Sequence, residues 1–288
     1  MELDFILFSL VIVLYGISVL VLISLGLTII FGLMGVINFA HGEFLMLGAY
    51  VVLTGMRAGL NLWVCMLLAP LVVGLVGLVI ERLVVRYLYG RIIATMLATW
   101  GISLVLVQLV VIIFGPTTEG VGTPLGSFNI GNYAISEYNF VVIAVTAMLL
   151  LLMYLVLSRT RYGVEAQATT QIPEMASAIG INSGNIMTLT FVIGSALTGA
   201  AGAVLAPTVG VVPSMGSAFI ARAFMAVVTG GQALFSGLIA AASALCLPQT
   251  VVALITQPFL GVGALLIVAI IVLRLMPRGL SAKWRTQL

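Results

Sequence analysis

The sequence places its only histidine beside two other polar side chains, between apolar runs. In the stretch G-V-I-N-F-A-H-G-E-F, residues 35–44, the polar groups are Asn38, His41 and Glu43. A charged side chain at the centre of a membrane helix costs about 2.5–3.5 kcal/mol on insertion scales. These groups therefore either perform a task inside a membrane or are kept away from lipid.

Three interpretations of this polar stretch are open. In the structural one, Gly35 and Gly42 permit a sharp chain reversal, and Asn38 caps the helix that follows. Glu43 then complements the dipole of that helix. In the pathway interpretation, Asn38 and His41 face water between helices, where irregular backbone is tolerated. A proton relay through His41 and Glu43 is the least favoured, because no further buried acid accompanies the pair.

A second polar interruption lies in the apolar stretch 218–247, which is too long for one span and too short for two full ones. It is broken by T-G-G-Q, and Thr229 and Gln232 become further candidates for a substrate pathway. The apolar stretch 42–56 is also short. The pattern L-T-x-x-x-G occurs at both 27–32 and 189–194, each ahead of a broken segment, which indicates an internal repeat.

Composition decides the class of protein. Only 7% of the 288 residues are charged, against about 25% in soluble domains, and the mean hydropathy is +1.32. The sequence predicts an all-α integral membrane protein, a polytopic helical bundle of about 8–9 hydrophobic segments, some short or broken. The few, scattered basic residues exclude a nucleic-acid groove. One histidine and two isolated cysteines predict no metal site.

The distribution of basic residues predicts the orientation. Full-length apolar runs occupy about 5–31, 61–80, 94–114, 138–157, 186–206 and 251–273. Arg and Lys gather in the segments 82–91, 159–161 and 274–285, which the positive-inside rule assigns to the cytoplasm. The acidic N-terminus and the loop 115–137 are assigned to the outside. An outside N-terminus and a cytoplasmic C-terminus require an odd number of crossings, nine if 42–56 crosses once and 218–247 twice.

The polar loop 158–185 contains the signals of a short cytoplasmic helix. Pro173 suits a first helical position, Glu174 suits the first turn, and Gly180 suits a C-terminal stop. A helix of about two turns, from Pro173 to Ile179, is marginal in water by itself. We therefore expect it to dock on another surface, with Met175 among its apolar contacts.

Several stretches of the sequence resemble the branched-chain (hydrophobic) amino acid ABC permease family. The resemblance is carried by G-L-T-I-I-F-G-L-M-G-V-I-N-F-A-H-G-E-F-L-M-L-G-A-Y, by L-T-F-V-I-G-S-A-L-T-G-A-A-G-A-V and by M-P-R-G-L. In addition, E-M-A-S-A-I-G-I-N is similar to the E-A-A-x-x-x-G coupling loop of ABC importers, with Glu174, Ala176 and Gly180 on the matching positions. The resemblance covers nearly the whole chain and implies one permease domain over 1–288.

This resemblance implies a set of partners. They are a second, homologous permease, two cytoplasmic ATPase subunits and an extracytoplasmic solute-binding protein, in a bacterial cytoplasmic (inner) membrane. ATP and Mg are expected on the ATPase subunits, with no cofactor on this chain. The chain itself is not an enzyme of that kind, because G-x-x-x-x-G-K-[ST] does not occur in it. The coupling residues are expected to be Pro173, Glu174, Met175, Ala176 and Gly180.

The sequence leaves alternatives open for the transported solute and for the class of transporter. The stretch V-P-S-M-G-S-A-F-I-A-R-A-F-M-A-V-V leans towards the urea and short-amide branch of the same family, so amino acids and small amides both stay open. The competing class is a secondary transporter or channel that works alone. It would need coupling charges within the membrane, and Glu43 is the only acid that we place near an apolar segment. Whether the two permeases are identical is also open.

Overall fold

The computed structural model describes residues 2–131, 133–231, 233–277 and 279–281, and they are mostly helical. The helices are α1 (Glu2–Met34), α2 (His41–Arg57), α3 (Leu62–Leu83), α4 (Ile92–Phe114), α5 (Tyr138–Arg159), α6 (Arg161–Gln171), α7 (Pro173–Ala178), α8 (Ser183–Leu205), α9 (Met215–Gly230), α10 (Leu234–Ile255) and α11 (Pro258–Leu275). A 3₁₀ helix, Val85–Leu88, follows α3. A short antiparallel hairpin, β1 (Ser127–Ile130) and β2 (Tyr133–Ser136), lies between α4 and α5.

Seven of the described helices are long and apolar enough to cross a membrane: α1, α3, α4, α5, α8, α10 and α11. The prediction of a polytopic, all-α membrane protein is confirmed. One predicted span was wrong, because residues 251–273 do not form a single helix. Helix α10 extends to Ile255, and Pro258 begins α11 at a position where its missing N–H costs no hydrogen bond.

The two short apolar stretches differ from each other. Residues 42–56 lie within one continuous helix, α2, of 17 residues. The longer stretch is broken where the sequence predicts, since α9 ends at Gly230 and α10 begins at Leu234. Gly231, at the break, has a φ of 78°, a left-handed conformation that favours glycine.

The chain folds into two compact units. The first unit contains Met1–Ser24, Thr123–Leu150 and Arg222–Leu288, and the second contains Leu25–Gly122 and Leu151–Ala221. In the first unit, Tyr133 of the hairpin stacks on Phe8 of α1, with ring centroids 4.8 Å apart.

The second unit is built around α2, α3 and α8, which pack on one another. Its apolar core includes Phe44 and Phe191, whose rings meet edge to face with centroids 6.0 Å apart. Backbones come close at glycines: a Cβ added to Gly48 would lie 2.0 Å from the carbonyl oxygen of Gly199. Small residues that allow such approach drive helix association in membranes, where lipid removes most of the hydrophobic driving force.

We predict that Gly48→Val destabilises the protein, because the new side chain meets the α8 backbone. Overpacking of a core costs about 1–3 kcal/mol, and backbone gives way less easily than side chains. The thermal unfolding midpoint of the detergent-solubilised protein measures the effect. The matched control is Gly101→Val on α4, where an added Cβ meets nothing within 4 Å. Equal midpoints for the two variants would contradict this packing account.

Candidate functional site

The polar stretch predicted from the sequence forms a tight junction between α1 and α2. Helix α1 ends at Met34, and Gly35 turns the chain with a φ of 63°. Asn38 is fully buried, and its Oδ1 accepts a hydrogen bond of 3.0 Å from the Ala40 N–H. The expected bond from Asn38 to the backbone is therefore present. The predicted cap was wrong, however, because Ala40 occupies the N-cap and Asn38 forms a local Asx turn before it.

His41 and Glu43 belong to the first turn of α2 and are buried. The Nδ1 atom of His41 lies 3.2 Å from the Thr198 hydroxyl on α8. Glu43 lies beside Ser103 of α4, and its Oε2 has no hydrogen-bond partner among the described residues. These polar groups are thus enclosed by protein, as predicted. Their role in a pathway stays a prediction.

Gly42 has a different role from the predicted one. It lies inside α2 rather than in a chain reversal. A Cβ added to it would lie 2.4 Å from the carbonyl oxygen of Gly216 at the start of α9. Gly42 is therefore required for close backbone packing, whereas the turn itself depends on Gly35.

The second predicted region lies at the end of α9, in the first unit. Thr229 is fully buried, and its hydroxyl has no hydrogen-bond partner among the described residues. Next to it, a Cβ on Gly230 would lie 2.8 Å from the carbonyl oxygen of Gly237 on α10. Gln232 lies outside the described residues. Thr229 is thus a polar group held in a glycine-packed break between two apolar helices.

Two charged residues in apolar helices were missed in the sequence. Glu81 of α3 is fully buried, and Tyr89 donates a hydrogen bond of 2.5 Å to its Oε1. The prediction that Glu43 is the only acid near an apolar segment was therefore wrong. Burial and the bond to Glu81 raise the pKa of the Tyr89 phenol. Arg222 lies half-buried within α9. Glu81 and Arg222 could have been found from the sequence, because each is a charged residue that interrupts an apolar run.

The polar loop 158–185 contains more structure than the single predicted helix. Helix α6 occupies Arg161–Gln171, and it is tied to the second unit by long-range bonds. The Tyr162 hydroxyl lies 2.8 Å from the Thr190 hydroxyl on α8, and Thr170 donates a bond of 2.6 Å to the Leu33 carbonyl on α1. A sequence pattern cannot show such contacts, which stabilise a helix of low apolar content.

Helix α7 matches the predicted short helix. Pro173 is its first residue, Glu174 lies in its first turn, and it ends at Ala178, one residue earlier than expected. After it, Gly180 has a φ of 91°. Its N–H bonds the Ser177 carbonyl, and the Ile181 N–H bonds the Ala176 carbonyl, at 3.1 and 3.0 Å. This pair of bonds is a Schellman stop, which fixes the end of the helix.

Helix α7 and its flanks expose apolar side chains. Ile172, Met175 and Ile179 are 50%, 64% and 77% exposed. Ala176, in contrast, is buried within its own chain. Ala176 is therefore not part of this exposed surface, and its place among the expected coupling residues stays a prediction. The exposed surface of Ile172, Met175 and Ile179 is called the α7 face below.

Comparison with known proteins shows the relationship of this chain. The family model described as branched-chain amino acid transport system / permease component matches residues 9–275. No solved structure matches the chain.

Curated relatives agree with the family model. The chain is 32% identical over 232 residues to the high-affinity branched-chain amino acid transport system permease protein BraD of Pseudomonas aeruginosa, covering 74% of this chain and 75% of BraD. It is 32% identical over 234 residues to the corresponding LivH of Escherichia coli strain K12, with the same coverage. A probable LivH of Methanocaldococcus jannaschii is 27% identical over 281 residues, covering 92% and 89% of the two chains. The chain therefore belongs to the family of permease components of branched-chain amino acid transport systems.

Proposed function

We propose that the chain is one permease subunit of an ABC importer for branched-chain or other hydrophobic amino acids. It forms half of the pathway with a second permease, and two cytoplasmic ATPase subunits hydrolyse Mg-bound ATP. A solute-binding protein delivers the amino acid on the outside of a bacterial inner membrane, where the N-terminus lies, and the C-terminus is cytoplasmic. The α7 face is the observation that carries this proposal.

The α7 face suits contact with an ATPase. Three large apolar side chains lie exposed next to a fixed helix end. Leaving them in water costs about 25 cal/mol for each Å² of apolar surface that a partner could cover. A partner surface would remove that cost, and Met175 adapts to irregular apolar surfaces. Glu174 is exposed at the start of α7, where it can pair with a basic group of the ATPase.

The anchors of α6 provide a way to transmit movement. Helix α6 precedes α7 directly, and α7 leads into α8 after a few residues. Thr170 binds the end of α1 and Tyr162 binds α8. A displacement of α7 by the ATPase is therefore passed to the ends of two long helices, the kind of movement that alternating access requires.

The pathway lining should be mostly apolar, with small residues and hydroxyls, so that solute passes without being held tightly. Thr229 is the candidate from the broken region in the first unit, and Asn38 and His41 are the candidates in the second. Gln232 is carried forward as a candidate on sequence alone.

A secondary transporter is the second candidate function, and Glu81 is the observation that favours it. A buried carboxylate near the end of a membrane helix is a coupling group in many carriers. Dependence of uptake on ATP separates the two functions. Urea or a short amide as the solute is separated from an amino acid by competition with labelled leucine.

We predict that Gly180→Val abolishes ATP-driven leucine uptake by the reconstituted complex while the chain still inserts in the membrane. Valine is strained at a φ of 91°, so the Schellman stop is lost and the α7 face is misplaced. Uptake of labelled leucine into proteoliposomes and co-purification of the ATPase measure the effect.

Gly59→Val is the matched control for this prediction. Gly59 has a φ of 84°, and an added Cβ there also meets nothing within 4 Å, so the local strain is equivalent at a place remote in sequence from α7. Uptake should survive Gly59→Val. Full uptake by Gly180→Val, or equal loss in both variants, would refute the coupling role.

We also predict that Thr229→Val lowers uptake without lowering stability, because the Thr229 hydroxyl makes no hydrogen bond to a described residue. Thr146→Val is the control: that hydroxyl, also buried in the first unit, donates a 2.7 Å bond to the Val142 carbonyl. Loss of that bond should cost about 0.5–1.5 kcal/mol and leave uptake intact. Unfolding midpoints and uptake are measured for both. Normal uptake by Thr229→Val would remove Thr229 from the pathway.

A further inference from the structure

A groove of about 290 Å³ lies where the end of α2 meets the segment after α4, entirely within the second unit. Its walls include Leu53, Met56, Arg57, Glu119 and Val121. This volume is close to the lower end of the range for small-molecule pockets, about 300–1,000 Å³. The groove is therefore of a size for a small solute.

Opposite charges stand together in this groove. The Arg57 guanidinium forms an ion pair with the Glu119 carboxylate, and their side chains are 53% and 27% exposed. Apolar side chains adjoin the pair, since Leu53 and Val121 are 5% exposed and Met56 is 38% exposed. A cation, an anion and an apolar wall thus meet at one place.

The charged groups are held by their surroundings. The Glu119 backbone forms an antiparallel bridge with Val211, with N–H···O distances of 2.9 and 2.8 Å. Tyr50 lies close enough to interact electrostatically with both charges, and its ring packs 4.8 Å from that of Phe114. Preorganised charges bind a ligand at a lower entropic cost than mobile ones.

The ion pair leaves hydrogen-bond donors and acceptors available to a ligand. A guanidinium has five N–H donors and a carboxylate has about four lone-pair positions, whereas the bond between the two uses one of each. A ligand that carries both charges can bind beside the pair without breaking it.

We propose that this groove is a weak binding site for the zwitterion of an L-α-amino acid with an apolar side chain. Arg57 binds the α-carboxylate, Glu119 binds the α-ammonium group, and Leu53, Met56 and Val121 contact the side chain. This inference rests on the proposed function: the groove binds the solute at the outer entrance of the pathway. Urea carries neither charge nor an apolar group, so the groove does not match it.

The direct test is binding of L-leucine to the assembled complex in nanodiscs, without the solute-binding protein, by saturation-transfer NMR. We expect a weak, saturable signal for leucine. 4-Methylpentanoate, which lacks the ammonium group, and isopentylamine, which lacks the carboxylate, should compete poorly. Arg57→Ala should weaken leucine binding by about tenfold, the typical effect of losing a charge-assisted hydrogen bond.

A charge swap separates this site from a purely structural ion pair. The double variant Arg57→Glu with Glu119→Arg keeps an ion pair, so a pair that only fastens the segment 115–122 would be restored by it. The proposed site contacts three groups of the amino acid: the α-carboxylate, the α-ammonium group and the side chain. The swap exchanges the positions that bind the first two groups and leaves the third, so the site then fits the opposite enantiomer. We therefore expect the swapped complex to bind D-leucine more tightly than L-leucine, the opposite of the wild type.

Each outcome of these measurements decides the proposal. It is overturned if Arg57→Ala leaves leucine binding unchanged or if the swap restores L-leucine binding. ATP-driven leucine uptake by the wild-type complex is measured in parallel. Uptake without leucine binding in the groove contradicts this inference alone, whereas ATP-independent uptake contradicts the proposed function and not the groove.

Discussion

Close backbone contact between helices is the constraint on which the second unit depends. In lipid, apolar side chains gain little by leaving the solvent, so helices associate through van der Waals contact and hydrogen bonds. Here Gly48 meets Gly199, Gly42 meets Gly216, and a Cβ on Gly202 would lie 1.8 Å from the Leu45 carbonyl oxygen. The positions of His41 and Glu43 follow from these contacts, because α2 can carry polar groups into the protein only where its backbone lies against its neighbours.

Polar groups in this unit are placed where protein replaces water. The Asx turn at Asn38, the contact of His41 with Thr198 and the bond from Tyr89 to Glu81 each give a partner to one atom of a group that would be costly in lipid. Asn38 Nδ2 and Glu81 Oε2 have no hydrogen-bond partner among the described residues. The same principle holds outside the apolar helices. The Schellman stop after α7 satisfies its last carbonyls, so the loop presents an ordered apolar face rather than a mobile segment.

Much of the architecture could be predicted from the sequence because its signals are local. Runs of apolar residues gave the helices, and Pro173 and Gly180 marked the two ends of α7. The features that could not be predicted depend on contacts between residues that are far apart in the sequence. Helix α6 has no strong apolar pattern, and its order depends on bonds to Leu33 and Thr190. The sequence also cannot show which face of α7 packs inward, and the structure buries Ala176 while Met175 beside it is exposed.

We propose that the α7 face is the docking surface for an ATPase subunit. Site-specific photo-cross-linking tests it most directly, with a photoreactive amino acid at Ile179, which is 77% exposed, in the assembled complex. We expect a cross-link to the ATPase subunit from residue 179 and none from Leu60, a 44% exposed apolar residue in the loop between α2 and α3. A complex that imports leucine with ATP but gives no ATPase cross-link from residue 179 would contradict it.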